Sequence, residues 1–301
     1  MASARKLPYH LLALILALGW GFTNISTKEL YIYGMGPWAV LALRGVLAYG
    51  ALIFIAPKQL YAGRAADEFK CFILGAAMMP GYFGLQNLAL SYGQASAVSI
   101  AVATGPLMTA LIAAPVLRMK LHWMTGLGAV AAATGLFLLW FDQSVMMELP
   151  PLALWLALAG AAGFAVYSLL LRTMANLPGL VALRKTVGYG TIASLPFYFA
   201  ETQTEGLILT NPVVIANLLY LSVGAIAVAT SLWLAAEKKL GAETCGFYYY
   251  VWPLAAVIGG LWILDERMSY VGFMGAAMIL CGVICAQAGL ARVAAAAARR
   301  R

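Results

Sequence analysis

Residues 42–50 read ALRGVLAYG, and residues 182–190 read ALRKTVGYG. The shared pattern ALRxxxxYG recurs at an offset of 140. Each copy sets an arginine, Arg44 or Arg184, in a largely apolar run. An arginine near the bilayer centre costs about 2.5–3.5 kcal/mol on insertion scales, less where it snorkels. A chain that carries this cost twice, in one local pattern, reads as a duplicated membrane unit.

Composition supports the membrane half of that reading. Of 301 residues, 63% are hydrophobic and 10% charged, where a soluble domain carries about 25% charged residues. The net charge of +8 would suit nucleic acid only on the basic face of a soluble domain. Here the basic residues fall in short clusters between apolar runs, as in membrane loops. Nucleic acid is therefore not an expected partner, and the lipid bilayer is.

A helical span needs about 20 mostly apolar residues. Ten candidates follow: roughly 9–27, 37–56, 71–90, 96–117, 123–141, 152–171, 181–200, 212–235, 243–263 and 270–290. The runs are continuously apolar, without the strict alternation of a transmembrane β-barrel. With a cytoplasmic N-terminus and Arg44 and Arg184 set aside, fifteen Lys and Arg face the cytoplasm. Only Lys28 and Arg267 face out. That bias fits the positive-inside rule. It places both termini in the cytoplasm and the chain in the inner (plasma) membrane. The N-terminus imitates a signal peptide, but its apolar run is needed to complete the repeat, so it is read as retained.

The repeat extends beyond the ALR strings. At an offset of 147, Pro106 meets Pro253, Gly128 meets Gly275 and Gly135 meets Gly282. About seven extra residues before the eighth span explain the change of offset, and the polar stretch at 201–206 can hold them. The expected architecture is all-α, with ten transmembrane helices in two five-helix repeats, 1–148 and 149–291, and a basic tail at 292–301. Five is odd, so the second copy is inverted, as in secondary transporters with a site near the midplane.

Further residues sharpen this. LGWGFTNISTK at 18–28, WAVLALRGVLAYG at 38–50, ALSYGQASAVSIAVATGPLMTALI at 89–112 and the stretch 252–284 carry a family resemblance. The chain resembles the ten-helix bacterial transporters of the drug/metabolite superfamily, with two EamA-type domains. The resemblance implies export or exchange of small metabolites across the inner membrane, amino acids and drug-like compounds included. The family commonly has a Glu-Arg pair before the last helix of each half. Here the second half keeps Glu266-Arg267, and the first has Met119-Lys120.

Candidate cavity residues follow from helical spacing. Trp20, Thr23, Asn24 and Thr27 share one face of the first span, with Trp20 and Asn24 expected on the cavity. Tyr82, Gln86 and Asn87 follow Pro80-Gly81 in the third span, where proline bends a helix. Ser99 and Pro106 lie in the fourth span, and Tyr250 and Pro253 in the ninth. Tyr167 and Trp233 are further candidates. Helix–helix hydrogen bonding is the structural alternative for the polar members. Pro80, Pro106 and Pro253 are expected kinks. Arg44 and Arg184 are read as structural pins of their helices, or as gates or partners of a substrate carboxylate.

Several chemistries drop out. The sequence has no HExxH or GxSxG and no Cys/His metal spacing, so neither an enzyme nor a bound metal or cofactor is expected. Cys71, Cys245, Cys281 and Cys285 read as small core residues. No Asp or Glu lies well inside a span, so proton antiport on a buried glutamate has no support. Clustered cations for dianions are lacking too. The expected substrate is an amino acid or a similar neutral compound, carried by a monomer or weak homodimer. The alternative is a lipid or lipid-carrier flippase of like architecture.

Overall fold

The computed structural model describes residues 6–56, 59, 61, 62, 64–116, 122–141, 150–174, 176–201 and 210–298. Among these, every regular element is helical. α1 (Leu7–Gly21) and α2 (Thr23–Ile32) form one rod interrupted at Phe22, and α3 (Pro37–Ile55) follows. α4 (Ala65–Met78), the π-helical segment π1 (Met79–Gly84) and α5 (Leu85–Tyr92) form the next rod. α6 (Ala95–Val102) and α7 (Gly105–Val116) are separated by two residues, and α8 (Trp123–Phe141) completes the first half. The second half holds α9 (Pro151–Arg172) and α10 (Gly179–Ala200). Then come α11 (Pro212–Leu219), π2 (Tyr220–Ala229) and α12 (Thr230–Leu240). α13 (Ala242–Tyr249) and α14 (Val251–Ile263) meet at Tyr250, and α15 (Tyr270–Ala298) ends the chain's helices.

Local chemistry sets these boundaries. Pro37, Pro151 and Pro212 open their helices, where a missing N–H costs nothing. α2 ends in a Schellman motif: Met35 N–H bonds the Leu30 carbonyl and Gly34 N–H that of Tyr31. Gly34 takes φ 82° to make this turn, a conformation that suits glycine. Met35 and Leu30 then bury together in one apolar cluster.

Seven helical stretches are long and apolar enough to cross a membrane, among them Leu7–Ile32, Pro37–Ile55 and Pro212–Leu240. The chain is a multi-pass membrane protein. The three other expected spans differ for visible reasons. The expected run 71–90 holds the polar Gln86 and Asn87, α10 carries Arg184 and Lys185, and the apolar stretch of α8 is only Trp123–Leu139. Large apolar side chains cover the outside, with Phe54 90%, Tyr270 91% and Trp262 83% exposed. In water such a surface would drive aggregation, whereas lipid solvates it.

The expected kinks take a different form. Pro80 lies in the first turn of π1, so the irregularity is taken up as a π segment within the rod. Pro106 and Pro253 do not bend continuous helices. Each follows a complete interruption, at 103–104 and at Tyr250, which are equivalent positions at the offset of 147. Glu266 accepts from the amides of Ala95 and Ser96 at 2.5 and 2.9 Å, capping the start of α6. Glu201 does the same for α3 through Trp38 and Ala39, at 3.1 and 2.8 Å. A carboxylate at a helix start satisfies orphan donors and complements the helix dipole. Met119-Lys120 lies outside the described residues.

The largest apolar cluster joins Ile100, Leu107, Leu139, Trp252, Val257 and Ile279. α8 and α15 are the most intimately packed pair. A Cβ on Gly128 would sit 2.3 Å from the Gly282 carbonyl, and one on Gly135 2.5 Å from that of Gly275. The two helices therefore run antiparallel and touch backbone to backbone, as small residues permit in membranes. Gly282→Leu is expected to destabilise the protein by about 1–3 kcal/mol through overpacking. Gly50→Ala, with nothing within 4 Å of the added Cβ, is expected to be neutral or mildly stabilising. Thermal unfolding of the purified protein in detergent reads both.

Candidate functional site

The helix interruptions and π segments converge on a cavity of ≈ 700 Å³. Its polar wall comes from α2 and π1–α5 in the first half, through Asn24, Tyr82 and Gln86, with Arg44 from α3. α9 adds Phe164, Tyr167 and Ser168, and α12–α14 add Trp233, Tyr249 and Tyr250. The wall continues to Arg172, Glu237 and Gly246 near the helix ends. A largely apolar pocket with few polar groups is the usual form of a small-molecule site.

Aromatic rings make the central collar. Trp20 lies 4.9 Å from Trp233 and 6.4 Å from Tyr249, centroid to centroid. Phe164 lies 5.3 Å from Tyr82 and 6.2 Å from Tyr249. The Ala225 carbonyl, in π2, accepts from Trp20 Nε1 at 3.0 Å and Thr230 Oγ1 at 3.2 Å. This fixes the Trp20 ring on the wall. Trp233 Nε1 donates to Glu237 at 2.9 Å.

A hydrogen-bond relay runs behind the collar. Ser99 O–H donates to the Ala95 carbonyl at 2.5 Å. Asn24 Nδ2 donates to Ser99 Oγ at 2.6 Å, and Gln86 Nε2 to Asn24 Oδ1 at 2.7 Å. A carbonyl can only accept, so Ala95 sets the direction of every bond in the relay.

Of the residues expected on the cavity, Trp20, Asn24, Tyr82, Gln86, Tyr167, Trp233 and Tyr250 line it. Asn87 and Ser99 do not. Asn87 sits one residue past Gln86, turned about 100° away, and donates to the Pro37 carbonyl at 3.0 Å. Ser99 supports Asn24 from behind. The two arginines part company. Arg184 donates to the Gln59 carbonyl, while Arg44 is 4% exposed and lines the cavity. Phe83, Tyr249 and Glu237 are wall residues that helical spacing did not single out.

A bundle of long apolar helices around one aromatic-lined cavity is the architecture of a membrane transporter. The chain belongs to the EamA-like transporter family, whose model matches twice in tandem, at residues 7–141 and 151–287. It is similar to the probable amino-acid metabolite efflux pump of Escherichia coli, at 22% identity over 90% of this chain and 92% of that protein. The uncharacterized transporter YetK of Bacillus subtilis is 24% identical over 73% of this chain and 68% of its own. One crystal structure, 16% identical, superposes with a TM-score of 0.62, covering 94% of this chain and 96% of that one. The last likeness concerns the fold alone.

A polar cluster ties the two halves together at the end of the bundle where α4 begins, ahead of the apolar stretch from Cys71. The half-buried Glu68 accepts from Lys185 Nζ, Tyr189 O–H and the Ala62 amide, each at 2.6 Å. Burial alone would raise the Glu68 pKa, but these hydrogen bonds and the Lys185 charge outweigh it and hold the carboxyl below its ordinary value. Its stabilising contribution is therefore full above the unfolded-state carboxyl pKa and is lost as pH falls through the depressed folded value. Glu68→Gln is expected to lose about 1.5–3 kcal/mol at neutral pH and to flatten the acid limb of stability. Melting temperature against pH, for both proteins, checks this.

Proposed function

We propose that the protein exports or exchanges small metabolites, amino acids or similar neutral compounds, by alternating access through the central cavity. The observation that carries this is the cavity itself, built from both halves and lined by aromatic rings with a few amide and hydroxyl groups. Such a wall suits solutes with an apolar side chain and a small polar head. The Escherichia coli relative, a probable amino-acid metabolite efflux pump, agrees in kind.

The mechanism rests on ten membrane crossings in two inverted units, residues 1–148 and 149–291, with the tail 292–301 and both termini in the cytoplasm of an inner membrane. The glycine seam supports the inversion. Gly128 is equivalent to Gly275 and Gly135 to Gly282. The contacts 128–282 and 135–275 therefore exchange under a two-fold axis between antiparallel partners. Two opposed copies of one unit adopt two related conformations, one open to each side. On this orientation the wall runs from mid-membrane toward the cytoplasmic helix ends, while Glu201 and Glu266 close the outer end.

Counterflow of a radiolabelled amino-acid panel in proteoliposomes tests the reading. At least one amino acid is expected to exchange. Gln86→Leu and Tyr250→Ala are each expected to lower that exchange about tenfold, the scale of one lost polar contact or ring. Absence of exchange for the whole panel, with and without a proton gradient, would overturn the substrate class. Unchanged exchange in both variants would remove the cavity from the pathway.

A further inference from the structure

Among the described residues, five side chains of the cavity wall, Arg44, Gln86, Thr186, Tyr250 and Trp252, each bury a polar atom without a hydrogen-bond partner, and two of these are a charged donor and a committed acceptor. The first is Arg44. It is 4% exposed, and a guanidinium stays charged in proteins. Among the described residues no carboxylate lies within salt-bridge distance of it. The pairs formed are Lys70–Asp67 and Lys185–Glu68. Its Nε has no hydrogen-bond partner. The face of Phe83, 4.1 Å from Cζ, supplies a cation–π contact, which recovers only part of the lost hydration. Its electrostatic neighbours Tyr82, Tyr220 and Tyr31 are phenols rather than carboxylates, and Tyr220 and Tyr31 donate their O–H to the carbonyls of Gly19 and Asn87.

The second group is Gln86. The relay from Ala95 through Ser99 and Asn24 commits its Nε2 to donating, which leaves Oε1 as a fixed acceptor. Oε1 is buried and unpartnered. Gln86 is one helical turn from Phe83, the residue that Arg44 overlies. The wall thus brings together an unmatched cation with N–H donors and an unmatched carbonyl acceptor.

We infer that Arg44 and Gln86 form a headgroup site for an α-amino acid zwitterion, with Arg44 binding the carboxylate and Gln86 Oε1 accepting from the ammonium. The inference deepens the proposed function and rests on it. A carboxylate gives the guanidinium the charge-assisted, bidentate partner it lacks. One cation matches one negative charge, so the site takes a monocarboxylate and not a dianion. The aromatic collar is left for the side chain.

Ligand-induced thermal stabilisation of the purified full chain in detergent tests the site. The probes are the protein amino acids, their carboxamides and the corresponding acids lacking the amine. At least one free amino acid is expected to raise the melting temperature. Its amide and its deaminated acid are expected to bind about tenfold or more weakly. Arg44→Gln is expected to abolish the discrimination between acid and amide, and Arg44→Lys to keep part of it. Gln86→Leu is expected to abolish the preference for the aminated ligand.

The inference is overturned if amides stabilise as well as acids, if Arg44→Gln keeps the response, or if no free amino acid binds. A lower melting temperature of both unliganded Arg44 variants, with acid–amide discrimination unchanged, makes Arg44 a packing element and also overturns it. Counterflow separates this failure from that of the proposed function. A protein that exchanges amides or other neutral solutes keeps the transport reading and loses the headgroup site. One that binds amino acids through Arg44 without exchanging them does the reverse.

Discussion

Inside a membrane every backbone N–H and C=O must find its partner within the protein. That constraint explains most of this structure. It makes the described elements helical, and it makes each departure from the helix costly. Such departures are tolerated where protein or a cavity can take up the freed groups. The interruptions at Phe22, at 103–104 and at Tyr250, with the two π segments, cluster around the cavity. The Ala225 carbonyl shows how the exchange works. Set within π2, it holds the Trp20 indole against the wall. Irregular backbone here is a means of placing side chains.

The same constraint limits what a sequence reveals. The apolar runs, the duplicated ALR strings and the matched glycines announce a repeated helical membrane unit. Seven of the nine expected cavity residues line the cavity because a helical face can be read from spacing. The errors arise where spacing stops being regular. Regular spacing does not reach Phe83, which lies within π1, or Tyr249, which stands beside the interruption at Tyr250. Tyr82 and Phe83 stand on one wall with rings 4.7 Å apart, and the consecutive Tyr249 and Tyr250 both line it. Asn87 and Ser99 failed for another reason. Periodicity gives a face, but not whether a neighbouring helix or open space lies against it.

Arg44 and Arg184 make the point most sharply. Their local sequences are alike, yet one is tied to the Gln59 carbonyl and the other stands at the cavity with no counter-charge among the described residues. The difference lies in what the rest of the fold brings to each. Residue type predicted two equivalent cations, and only the tertiary arrangement distinguishes them. A buried charge without a partner is expensive, and its retention in the wall asks for a use.

The two ends of the bundle are fastened by different kinds of bond. At one end Glu201 and Glu266 grip backbone amides at the starts of α3 and α6. At the other, Glu68 gathers the buried Lys185, the Tyr189 hydroxyl and the Ala62 amide. Dissolved ions screen a pair that is largely withdrawn from water far less than an exposed one, and carboxylates seated on helix amides keep their hydrogen bonds. Raised ionic strength therefore has little purchase on either end of this molecule.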